Sequence, residues 1–158
     1  MSVCTFIAAN CPMDEVRSPK EYPLEINIDE GTIYDGDAND NFSLCKFREV
    51  SDYTDKKYGV CLEWAYYTEG RAKLLLKYIS DVLSRTDTVE VWHVWLPYDY
   101  YEYDERPIIN KKTLHIDEIN PEDIRKIDSA VIWENANSIR PIFYCLEIIK
   151  RRGNNGTQ

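Results

Sequence analysis

Between Thr68 and Leu96 the hydrophobic period of the chain switches from helical to extended, so one strongly patterned helix feeds one strongly patterned strand. Ala72, Leu75, Leu76, Ile79, Val82 and Leu83 recur at helical spacing, with Arg71, Lys73, Lys77, Asp81 and Arg85 expected largely on the other side. Thr68 suits the N-cap of this helix and Glu69 the positive end of its dipole, whereas Gly70 weakens the first turn. From Thr88 the period is two: Val89, Val91, His93 and Trp95 point one way, and Thr88, Glu90, Trp92, Val94 and Leu96 the other. Large apolar groups on both faces predict an interior strand, ended by Pro97, which has no N–H for the ladder.

Other segments supply partners for that strand. Val3 to Ala9 is a short apolar run and reads as a buried strand, followed by a proline-rich loop over residues 10 to 23. Leu24, Ile26 and Ile28 alternate with Glu25, Asn27 and Asp29, predicting a half-buried strand that turns at Glu30-Gly31 into a hairpin. Phe42 to Val50 and Tyr58 to Tyr66 are further strands, and Ile108 to Ile116 is an edge candidate carrying Lys111 and Lys112. Asn120, Pro121, Glu122 and Asp123 mark a short helix beginning after Ile119. Residues 131 to 133 fit either helix or strand. Ile139 to Ile149 alternates as a strand buried on both sides, and the polar residues 150 to 158 are expected to be a disordered tail. The expected fold is therefore α+β: a mainly antiparallel sheet with one long and one short helix packed on it, in a single domain over residues 1 to 149.

Composition narrows function mostly by exclusion. With 19 basic and 28 acidic residues the formal charge is -9, which repels phosphate and argues against nucleic acid or an anionic membrane as partner. Five cysteines without a C-x-x-C pair read as reduced thiols, which points to the cytoplasm. The uncharged first 13 residues have no basic segment ahead of them, so a signal peptide is not expected. No cofactor loop is present, since the glycine-rich phosphate motifs and the nucleophile elbow are all missing. No zinc spacing occurs. Asp35, Asp37 and Asn39 have the spacing of calcium ligands, but Asp40 stands where that loop needs glycine and Lys46 where it needs glutamate, so no metal is expected.

Two functional readings remain. The acidic tyrosine run Tyr98, Asp99, Tyr100, Tyr101, Glu102, Tyr103, Asp104 and Glu105 offers amphipathic rings interleaved with carboxylates, a surface for lysine and arginine on a partner. Its binding residues would be Tyr98, Tyr100, Tyr101, Glu102, Tyr103 and Asp104. The leading expectation is a non-catalytic acidic protein that engages a basic protein partner, in the manner of immunity or inhibitor proteins. The alternative is a small enzyme with a carboxylate or thiol in a sheet-lined pocket, built from Glu63, Glu90, His93 and Cys61. Only two histidines exist, and His115, near Asp117, is expected to be exposed or to cap.

Overall fold

The computed structural model describes residues 2–96, 108–130 and 142–150. Its elements run β1 (Ser2–Ala9), β2 (Glu25–Asn27), β3 (Thr32–Tyr34), β4 (Ser43–Lys46), a 3-10 turn (Arg48–Asp52), β5 (Tyr58–Glu63), α1 (Glu69–Leu83), β6 (Thr88–Leu96), β7 (Ile108–His115), α2 (Pro121–Asp128) and β8 (Ile142–Ile149). Six strands form one sheet in the order β4-β5-β1-β6-β8-β7, while β2 and β3 pair only with each other. All neighbours in the large sheet are antiparallel except β7 and β8. That parallel pair needs a crossover, and α2 lies in it. The fold is α+β and mainly antiparallel, with two helices among the described residues.

The switch of period explains the layering. Alternation along β1, β5, β6 and β8 sends Ile7, Val60, Val91 and Leu146 to the face where Leu75, Ile79 and Val82 of α1 and Ile124 and Ile127 of α2 pack. Fully burying each such side chain contributes about 1.5–3 kcal/mol. The opposite face presents Phe6, Trp92, Val94, Phe143 and Cys145, and the chain around the 3-10 turn covers it with Phe47, Val50 and Tyr53. Phe6 stacks on Phe47 at 4.5 Å between centroids, and Tyr53 meets Phe143 at 5.5 Å. β6 is apolar on both sides because it has a layer above and a layer below.

The helix starts follow their capping chemistry. Thr68 Oγ1 accepts from the Arg71 amide, and Asn120 forms a reciprocal box with Asp123 at the start of α2. Ile119 packs against the same core as Ile124.

Three expectations are corrected. The segment from Phe42 to Val50 is not one strand: β4 ends at Lys46, and the backbone tightens into the 3-10 turn so that Phe47 and Val50 can roof the second face. The hairpin strand at Ile26 is not half-buried, because no layer covers β2 or β3 and every residue in both is exposed. Arg71 does not lie on the solvent side of α1. It is fully buried, for a reason found in the loop that follows the hairpin. Residues 131 to 133, the end of β6 at Pro97 and residues 151–158 lie outside the described residues.

Candidate functional site

The hairpin β2–β3 stands apart from the large sheet. Ile26 and its cross-strand partner Ile33 share one face, and Leu24 and Ile28 continue the apolar surface at either end. Ile26 is 65% and Ile28 88% exposed, and with Leu24 and Ile33 they make a contiguous exposed apolar surface. Around it the charge is one-sided. Between Glu21 and Cys45 there is no lysine or arginine, and besides Asp35, which is buried, the segment holds six carboxylates, Glu21, Glu25, Asp29, Glu30, Asp37 and Asp40.

The hairpin is nevertheless held firmly at its base. Asp35, directly after β3, accepts from Arg71 Nη2 at 2.7 Å, from Asn41 Nδ2 at 2.9 Å and from the Asp37 amide at 3.1 Å. Arg71 also donates to the carbonyls of Ala38 and Tyr66, both at 3.0 Å, and its guanidinium lies over the Tyr66 ring. The buried charge is thus paired and its donors are used. Burial would push the Asp35 carboxyl up, but Arg71, Tyr66 and the Asp37 amide outweigh it and hold it below the ordinary carboxylate value. The carboxylate that suggested a calcium ligand belongs to this anchor. Gly70 has its reason here too, since a methyl group at that position would overlap the Asn39 side chain.

A second concave feature lies where β1 and β5 part. Their ladder runs from Ala9↔Tyr58 to Phe6↔Cys61 and stops, so Cys4 and Thr5 separate from residues 62–66 and leave a cleft of about 420 Å³. Cys4, Cys61 and Glu63 border it together with Thr5, Trp64, His93 and Asp128. Asp128, the last residue of α2, accepts from Thr5 Oγ1 at 2.7 Å and Trp64 Nε1 at 3.2 Å. His93 is buried beside it, and its Nδ1 has no hydrogen-bond partner among the described residues. Burial lowers the His93 pKa, with Asp128 pulling the other way. Cys4 Sγ and Cys61 Sγ are 3.0 Å apart. Their mutual contact holds the Cys61 thiol below its ordinary value and pushes Cys4 up.

The proposed catalytic set is therefore divided. Cys61, Glu63 and His93 border this cleft, but His93 projects to the helix face and Cys61 and Glu63 to the other. Glu90 is not in the cleft. It is buried on the second face, accepting from Thr54 Oγ1 at 2.6 Å and Trp92 Nε1 at 2.9 Å, with Lys111 Nζ 3.8 Å away. The same lysine reaches Glu147, directly opposite Glu90 in the β6/β8 register, at 3.2 Å. This arrangement holds the sheet together and leaves Glu90 no open approach.

The tyrosine run, with Tyr98, Tyr100, Tyr101, Glu102, Tyr103 and Asp104, lies outside the described residues. Among those described, His115, Asp117 and Glu118 bring three potential ligand atoms within 4.8 Å of one another after β7. Glu118 Oε1 also accepts from the His115 amide at 3.0 Å. A search for histidine pairs passes over this cluster because its members are adjacent in sequence on a turn. The dithiol was equally hidden, since Cys4 and Cys61 meet only through strand pairing. No protein-family model, no curated protein and no solved structure matches the chain.

Proposed function

We propose that this chain is a non-catalytic binding protein that engages a basic protein partner, in the manner of small acidic immunity or inhibitor proteins, with the hairpin β2–β3 as its principal contact. The observation that carries the reading is the uncovered apolar face of the hairpin, set in a segment that has six carboxylates besides the paired Asp35 and no basic residue of its own. An isolated two-stranded hairpin is marginally stable in water. This one is tied down by the Asp35–Arg71 pair, which presents it in a fixed place instead of folding it onto the core. Apolar anchors with a charged surround match the anatomy of a protein interface, and the sign of that surround selects lysine and arginine on the other side. The run Tyr98 to Asp104 is a second acidic contact on the strength of its sequence. Five free thiols agree with a reducing compartment, and we place the protein in the cytoplasm on that basis.

The test is affinity capture from the native cell with the full chain and with an Ile26→Asp, Ile28→Asp variant. Both positions are exposed, so the variant should keep its thermal midpoint. The reading expects the full chain to retain a protein of net positive charge that elutes with rising salt, and the variant to lose it. Equal capture by the variant, or capture of an acidic protein that salt does not release, would remove the hairpin from the interface.

A further inference from the structure

We infer that Cys4 and Cys61 form a reversible dithiol–disulfide site that reacts with low-molecular-weight disulfides. The two sulfurs are already 3.0 Å apart, held there by strands β1 and β5 just where their ladder ends. Both border the cleft between the diverging strands, and a small disulfide can reach the partly exposed Cys61 from solvent. Their exposures differ in a useful way: Cys61 is partly exposed and Cys4 is buried. Cys61 is the attacking thiol and Cys4 the resolving one.

The steps balance. The Cys61 thiolate attacks one sulfur of the small disulfide, forms a mixed disulfide and releases one thiolate. Cys4, giving up its proton to solvent, then attacks the Cys61 sulfur, forms the Cys4–Cys61 bond and releases the second thiolate. The small disulfide is reduced to two thiols and the protein dithiol is oxidised by the same two electrons. The contact with Cys4 shifts Cys61 in the direction that favours the attacking thiolate.

A third thiol tests the selectivity of this site. Cys45 stands directly opposite Cys61 in the β4/β5 register, yet its Sγ donates to Glu63 Oε2 at 3.7 Å. Burial and then the Glu63 charge push the Cys45 thiol up, which keeps it protonated and a poor competitor. Cys11 and Cys145 are buried. The product bond would tie β1 to β5 across 57 positions of chain, so oxidation should also raise the thermal midpoint.

The experiment treats the reduced full chain with oxidised glutathione, alkylates the remaining thiols and maps the digest by mass spectrometry. The expected result is one peptide pair linked through Cys4 and Cys61, with Cys11, Cys45 and Cys145 alkylated, all reversed by dithiothreitol. A Cys4→Ser variant should instead retain glutathione on Cys61, and a Cys45→Ser variant should behave as the parent does. Five alkylated cysteines in the parent, a stable glutathione adduct on its Cys61, or a Cys45–Cys61 link would each overturn the inference. So would an unmodified Cys61 in the Cys4→Ser variant.

Discussion

Asp35 Oδ1 and Arg71 Nη2 are 2.7 Å apart with both side chains sealed from solvent, which makes a charged pair the link between the helical core and the protruding hairpin. Removing one partner of such a pair leaves the other charge buried and alone, at a cost of about 3–5 kcal/mol. Asp35→Ala should therefore lower the urea midpoint strongly, and Arg71→Met combined with Asp35→Ala should cost less than the sum of the two single changes. The carboxyl is held below its ordinary value in the folded state, so its contribution is complete above the unfolded carboxylate pKa and is lost as pH falls through the folded one. An acid titration of stability should show a loss in the parent that is reduced in Asp35→Ala.

Gly70 lies in the first turn of α1, where alanine would ordinarily gain about 1 kcal/mol. Because Asn39 occupies the space, Gly70→Ala alone should give no gain and should disturb the loop after the hairpin. In an Asn39→Ala background the same substitution should recover the helical gain. Thermal midpoints of the two single variants and the double variant decide this.

How much of this was legible in the chain depended on whether a residue's neighbours were local. The periods of α1, β6 and β8, the Thr68 and Asn120 caps and the lysine-bearing edge strand β7 could all be read, because each rests on residues a few positions apart. Arg71 could not, since its acceptors at Asp35 and Ala38 lie 36 and 33 positions away and its spacing on α1 resembles that of the solvent-facing lysines. The alternation at Ile26 marks a strand but not its burial: a period of two shows that two faces differ, not that anything covers one of them. In the site, Cys61, Glu63 and His93 were found by residue type, whereas Thr5, Trp64 and Asp128, which share the cleft, are ordinary in sequence. Glu90 interrupts an apolar strand as a catalytic carboxylate would, but its partners make it structural.

His93 is the group most able to couple stability to pH near neutrality. Its pKa is lowered by burial, opposed by Asp128, so the ring is favoured neutral in the fold. A lowered value means that the contribution is present above the unfolded histidine pKa of about 6.5 and declines as pH falls below it. Urea midpoints at pH 7.5 and 5.5 should differ more in the parent than in His93→Leu; equal differences would show that the ring is not the group responsible.

Lys111 separates two carboxylates that face each other across β6 and β8. Like charges directly opposite destabilise a sheet pair, by about 1 kcal/mol or less. Lys111→Met should lower stability on that scale, and adding Glu147→Gln should restore part of it. A double-mutant cycle read by chemical denaturation measures the coupling.

Hydrogen exchange on the complex shows whether the hairpin meets the basic partner. With the captured partner bound, the amides of Glu25 to Asn27 and Thr32 to Tyr34 should exchange markedly more slowly than in the free chain. Unchanged exchange there, with protection appearing instead around Cys4, Cys61 and His93, would contradict the account and move the binding site to the cleft.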